Sequence, residues 1–303
     1  MLSPPQIAFV VATKDRPADL RKMLQSLSDQ SKRPDQVVIV DSSMESAETV
    51  IDQFSGLNIK YIRHPRPSAS AQRNKGIGSV NADIDLIGFL DDDIVFEKGA
   101  IEKMLKFWEE APEDVGGCAF NLKNPMRSHG SALKFSSFAE WLGIYSKSKG
   151  IVMSSGWQTL TGTVSETMFV QWLPTTASVW RRDVFEQFQF DEYFNGYSYL
   201  EDLDFSLSVS KKYRLAVLAE AGFYHFPSLS GRISWYHFGK IEVANRLYIV
   251  RKHQLSVSRC YLGLFFRFLM TLGSCFTGAG PAILKRAAGN CAGLIRCLLV
   301  LPS

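Results

Sequence analysis

The runs 7–12 and 37–40 are short and apolar without interruption, 59–62 and 84–90 read as further strands interrupted by Lys60 and Asp85, and stretches with helical spacing separate the four. Runs of this length, rich in β-branched residues and without polar alternation, suit strands buried on both faces. Between them, Pro17 opens a helix through Leu20, Met23, Leu24 and Leu27 with Asp15 as its cap. Residues 46–55 read as a second helix, and a polar helix holds Arg73, Asn74 and Gly76. Such alternation implies an α/β fold built on a doubly wound, mostly parallel sheet, in which ligands bind beyond the carboxyl ends of the strands. Three of those ends carry acids or hydroxyls: Thr13 and Asp15, Asp41 to Ser43, and Asp91 to Asp93.

Beyond a helix at 100–110 and a strand from Val115, the Gly-, Ser- and Lys-bearing stretch 128–162 gives no clear pattern and suits an acceptor loop. Order resumes at 168–179, followed by a short helix from Arg181 and an aromatic loop at 191–198. A helix at 200–212 has 3.6-residue spacing through Leu203 and Leu207, and a strand at 215–226 delivers His225 near its end.

A hydrophobic fraction of 46% over 303 residues is ample for a buried core and excludes disorder as the default. The charge is unevenly placed: eight of the 34 basic residues follow Glu242, but none of the 30 acids does. That tail includes an uncharged run at 268–284, near the lower limit for a membrane span but broken by Gly273, Gly278, Gly280 and Pro281. Flanked by Arg267 and by Lys285 and Arg286, it is expected to dock on an anionic membrane surface rather than to cross it. Basic residues scattered through apolar sequence do not make a nucleic-acid face. Five cysteines without a C-x-x-C pair fit a reducing compartment, and the N-terminus lacks a signal-peptide pattern. The expected location is cytoplasmic, peripheral on the inner face of the cell membrane.

The strongest chemical signal is Asp91-Asp92-Asp93, directly after an apolar strand. Adjacent carboxylates repel, and a cation that offsets them would be a hard one such as Mg²⁺ or Mn²⁺, which also grips diphosphates. An acidic turn can equally be a solvated loop or a helix cap, Glu201-Asp202 at a helix start can be a cap, and His225 can be a core histidine. Their order along the chain gives them joint weight. The first strand-to-helix turn lacks the G-x-G-x-x-G cradle of a dinucleotide-binding oxidoreductase.

Six segments in order resemble the family 2 glycosyltransferases of bacterial type, which have the GT-A fold. They are Val11-Ala12-Thr13-Lys14-Asp15-Arg16-Pro17, Asp41-Ser42-Ser43, Ala71-Gln72-Arg73-Asn74-Lys75-Gly76, Asp91-Asp92-Asp93, Trp180-Arg181-Arg182-Asp183-Val184-Phe185 upstream of Glu201-Asp202, and Tyr224-His225. The resemblance implies a GT-A domain over 1–240, with a nucleotide-sugar-binding half at 1–120 and an acceptor and catalytic half at 121–240, and then a basic, apolar helical tail at 241–303.

It further implies that Thr13, Asp15, Arg16, Asp41 and Ser43 line the base and ribose pocket, and that Arg73 approaches the ribose or diphosphate. Asp91, Asp93 and His225 would hold Mn²⁺ or Mg²⁺, and Asp92 would lie closer to the sugar or ribose. Asp202, beside Glu201, would be the general base in an inverting transfer from a nucleotide-diphosphate sugar, UDP-linked by preference, to a hydroxyl of a lipid-linked or polysaccharide glycan. Trp141, Trp157, Trp172 and Tyr197 are candidates for stacking on sugars, and the segment with Gly231, Arg232 and Trp235 is too loose a match for a role. A catalytically silent nucleotide-sugar-binding or scaffold protein is the alternative the resemblance leaves open. A carboxylate at a helix N-terminus is stabilised as the anion, which works against Asp202 as a base.

Overall fold

The computed structural model describes residues 4–125, 137–228, 233–274 and 281–299; Gly231, Arg232, Cys275 and parts of the 128–162 and 268–284 segments lie outside the described residues. Compactness divides the chain into Met1–Met126 with Thr161–Gly231, and Arg127–Leu160 with Arg232–Ser303.

The first unit is built on β1 (Ile7–Thr13), β2 (Gln36–Asp41), β3 (Ile59–Arg63) and β4 (Leu86–Leu90), which pair in parallel in the spatial order β3-β2-β1-β4. Successive residues of β1 point into opposite cores, as the period of two requires. Ile7, Phe9 and Val11 meet Leu20, Met23, Leu24 and Leu27 of α1 (Pro17–Ser28) and Met104 of α4 (Ala100–Glu110). Ala8 and Val10 meet a second core with Val184, Phe205 and Val209. Both faces of β1 are therefore covered, which explains why it reads as an unbroken apolar run.

Beyond β4 the sheet becomes mixed. Adding β8 (Ala177–Arg181), β6 (Val115–Leu122), β9 (Arg214–His225) and β5 (Ile94–Phe96) gives the order β3-β2-β1-β4-β8-β6-β9-β5, while β7 (Met168–Val170) pairs β9 off this path. β8 runs antiparallel to β4 and β6, and β5 antiparallel to β9. The helix expected at 46–55 is shorter: α2 covers Glu48–Ile51 and gives way to a 3-10 turn at Asp52–Phe54. Asp15 does not cap α1; it has φ +53 and its carboxylate accepts from the Met44 amide.

The second unit holds α5 (Ser137–Trp141), α8 (Trp235–Lys252), α9 (Val257–Ser274) and α10 (Leu284–Leu299). Residues 137–160, which gave no sequence pattern, supply Ile144, Tyr145 and Trp157 to a core shared with Val243, Leu247, Val250, Cys260 and Leu264. The Arg246 guanidinium lies 4.2 Å over the Trp157 ring and donates to the Gly156 carbonyl. α8 and α10 approach almost backbone to backbone, because a Cβ on Gly289 would collide with the Tyr236 carbonyl. Glu242, the last acid of the chain, is buried there and accepts two bonds from Arg286, at 3.0 and 2.6 Å. Among the described residues no helix is long and apolar enough to cross a membrane.

Candidate active site

The carboxyl ends of β1, β2 and β4 lie side by side, so the loops that follow them meet. Thr13 Oγ1 donates to Asp92 Oδ2 at 2.7 Å, and Arg16 Nη1 donates to Asp92 Oδ1 at 3.1 Å and lies 3.6 Å from Asp93. Asp92 is almost inaccessible, and burial pushes its carboxyl up to about 6 despite Thr13 and Arg16. The Asp15 amide donates to Ser43 Oγ at 2.6 Å, lacing the β1 loop to the β2 loop. Thr13, Asp15, Arg16 and Ser43 thus come together.

Asp41 faces its own loop instead. It is fully buried and accepts from the Ser43 amide at 2.7 Å, the Tyr61 hydroxyl at 2.6 Å and Arg63 at 2.8 Å. Burial acts to raise its pKa, but the Ser43 hydroxyl and amide, the Tyr61 hydroxyl and the Ala47 amide outweigh burial and hold it below the ordinary carboxylate range.

β5 shapes the acidic turn. The chain leaves β4, turns through Asp91, Asp92 and Asp93, and enters β5, whose Ile94 pairs with His225 on β9. This pairing sets His225 Nε2 3.0 Å from Asp93 Oδ1. Asp91, Asp93 and His225 each offer a ligand atom within 4.8 Å of the others. Asp93 Oδ1 is buried and, among the described residues, meets no hydrogen-bond donor in good geometry. A buried carboxylate oxygen without a donor, facing an imidazole nitrogen and a second carboxylate, fits a divalent cation of the Mg²⁺ or Mn²⁺ kind. Burial acts to lower the His225 pKa, yet the Asp93 and Asp91 carboxylates raise it above its ordinary value. Asp93 shows the converse, lowered by His225, the Ser228 amide and Arg16 in spite of burial.

α3 (Ala69–Ile77) joins this cluster to α7 (Glu201–Val209). Arg73 is buried under the sheet edge, 2.5 Å from Glu201 and 3.4 Å from Asp91, with its guanidinium 5.6 Å over the Phe190 ring. Its neighbours face other ways on the helix. Gln72 donates to the carbonyls of Thr13 and Val40, clamping the ends of β1 and β2. Asn74 exchanges hydrogen bonds with the Phe190 backbone, and Ser70 and the Ala69 amide reach Phe194 and Ser198. The positioning roles of Gln72 and Asn74 were missed from sequence, although amide side chains on either side of an arginine in a short helix were the available signal.

Leu200 precedes α7 at φ +75, a left-handed conformation that costs a non-glycine residue about 1–2 kcal/mol and turns the chain abruptly into the helix. Asp202 is half-buried, and its Oδ1 accepts from the Leu203 amide at 2.8 Å. Burial is the largest influence on it and, with the nearby Asp91 charge, raises its pKa against the Leu203 amide and Arg73. Desolvation therefore outweighs the hydrogen bond from the Leu203 amide at the helix start. Glu201 is also pushed up by burial and by Asp202, with Arg73 opposing.

The Trp180 to Phe185 segment lies elsewhere. β8 runs antiparallel to β4 with Leu86 opposite Arg181 and Leu90 opposite Ala177, so this segment sits at the edge of the sheet away from the acidic turn. Arg181 stacks on Trp108 and Arg182 donates to the carbonyls of Asn81 and Ile84, which ties loops together. Of the aromatic candidates, Trp157 and Trp172 are buried, whereas Trp141 and Tyr197 are exposed.

The family model described as glycosyl transferase family 2 matches residues 8–165. The uncharacterized glycosyltransferase YwdF of Bacillus subtilis (strain 168) is 32% identical over 140 residues, covering 45% of this chain and 52% of YwdF. The minor teichoic acid biosynthesis protein GgaA of the same organism is 30% identical over 96 residues, 29% of this chain and 22% of GgaA. The chain thus spans about half or less of the length of these relatives. Among solved structures, S. aureus TarS 1-349 in complex with UDP-GlcNAc aligns with a TM-score of 0.52 at 16% identity, covering 82% of this chain and 71% of that one. The mannosyltransferase PcManGT from Pyrobaculum calidifontis, in complex with GDP-Man and Mn²⁺, aligns with a TM-score of 0.55 at 12% identity over 98% and 88%. These likenesses share the GT-A-like fold read from the sequence. With its family model spanning just over half of the chain, this protein belongs to glycosyl transferase family 2.

Proposed function

We propose that the protein transfers a sugar from a nucleotide-diphosphate sugar to an acceptor hydroxyl with inversion at the anomeric carbon. The observation that carries this reading is that one buried guanidinium, Arg73, touches both the candidate cation cluster through Asp91 and the candidate base helix through Glu201. Asp91, Asp93 and His225 are the residues that would hold a divalent cation. Such an ion supplies positive charge where a nucleoside diphosphate departs. Thr13, Asp15, Arg16 and Ser43 would bind the nucleoside, with Asp41 fixing the loop that presents Ser43 and Asp92 near the ribose or sugar.

Glu201 is engaged by Arg73, which leaves Asp202 as the carboxylate suited to take the proton of the incoming hydroxyl. Its raised pKa brings it nearer to the strength a general base needs. A carboxylate that takes the proton of the incoming hydroxyl suits direct displacement, and direct displacement inverts the configuration. A UDP-linked donor is favoured by the family resemblance, and TarS with UDP-GlcNAc and PcManGT with GDP-Man supply precedents within the fold. The naming of GgaA for minor teichoic acid biosynthesis supports a lipid-linked or polysaccharide glycan as acceptor.

A panel of nucleotide sugars, with Mn²⁺, with Mg²⁺ and with a chelator, tests this reading through release of nucleoside diphosphate. The expected result is turnover of at least one donor, lost with chelator. Tight donor binding without turnover on any acceptor would instead mark a silent binding protein.

A further inference from the structure

α9 is predominantly apolar, with Arg259 and Arg267 as its charged residues. Cys260, Gly263 and Leu264 form its inner side against the core of the second unit. Its other side leaves Phe265 54% and Leu269 41% exposed, one turn apart. α10 repeats the arrangement: Ala287, Gly289, Asn290 and Gly293 point inward, while Ile295 at 58% and Leu298 at 61% point out. An apolar stripe on a helix is normally buried against a partner. Among the described residues these outer faces are left uncovered.

Charge identifies the cover. Lys285 and Arg296 on α10 and Arg259 on α9 are exposed, and no acid occurs after Glu242. Glu242 itself is buried against Arg286. We propose that the outward faces of α9 and α10 dock on an anionic lipid bilayer, with Phe265, Leu269, Ile295 and Leu298 at the acyl boundary and the basic side chains among the headgroups. A second copy of the chain is the poorer occupant, because two surfaces with cations and no acids repel. Neither helix is long and apolar enough to cross, so the attachment is peripheral.

The test is flotation of the full chain with vesicles of phosphatidylcholine alone or mixed with phosphatidylglycerol, at low and high salt. Sugar transfer is not measured, so the outcome is independent of the donor chemistry. The wild type is expected to float with the anionic vesicles and to be released by salt. Each cation near such a surface contributes about fivefold, so Lys285→Glu with Arg296→Glu is expected to lose well over tenfold in partitioning. Phe265→Ser with Leu269→Ser, at exposed positions that leave the core intact, is expected to abolish binding while the melting temperature holds. Equal binding to neutral vesicles, or unchanged binding by the charge-reversed variant, overturns the proposal. So does a dimer, seen by light scattering, that Phe265→Ser with Leu269→Ser dissociates.

Discussion

Asp92 and Asp202 show how burial sets the chemistry of single carboxylates here. Asp92 holds its proton more tightly in the folded chain, at about 6, than an unfolded aspartate does. Its contribution to stability is therefore complete below about pH 4 and lost as the pH rises through about 6, roughly 3 kcal/mol for a shift of about two units. With divalent cations removed, Asp92→Asn is expected to stabilise the protein by about 1–3 kcal/mol at pH 8 and hardly at all at pH 4, read from urea unfolding. An equal change at both pH values would mean that burial of the charge is not the cause. For Asp202→Asn, transfer is expected to fall by about 10²–10⁴-fold, the usual worth of a general base, with nucleotide affinity nearly unchanged. Loss of both together, measured by calorimetry beside turnover, would make Asp202 a structural residue.

At the scale of elements, α3 is the part on which the site hangs. It carries Gln72, Arg73 and Asn74, and it lies so close to β1 that a Cβ on Gly76 would collide with Val10. Gly76→Ala is expected to cost about 1–3 kcal/mol through overpacking, seen as a lower urea midpoint, and to reduce turnover because Arg73 moves with the helix. A substitution that leaves both unchanged would show that the contact is soft. β1, β2 and β4 were legible in the sequence because they are buried on both faces and so mostly apolar, while the half-exposed β3 and the helices α1, α3 and α4 were legible from their place in the alternation. β5 was not: it has three residues, follows three acids, and exists only through its pairing with the distant β9. That pairing is also what brings His225 to Asp93, so the sequence could name both residues from family resemblance without showing how they meet. The burial of Asp41 was hidden for the same reason, since Tyr61 and Arg63, which join the Ser43 amide on it, come from the neighbouring strand β3.

For the whole molecule, an acid-bearing α/β unit is followed along the chain by helices rich in cations. The first carries the features of a donor site and the second those of a lipid-facing surface, and each can be tested without the other. The central claim is that Asp91, Asp93 and His225 form a divalent-cation site at the carboxyl edge of the sheet. Crystals grown with UDP and Mn²⁺ test it most directly, through the anomalous difference map at the manganese edge. The account predicts a peak within about 2.0–2.4 Å of oxygens of Asp91 or Asp93 and of a His225 nitrogen, next to the diphosphate. A diphosphate bound with no manganese at these side chains, or manganese held elsewhere in the chain, would contradict it.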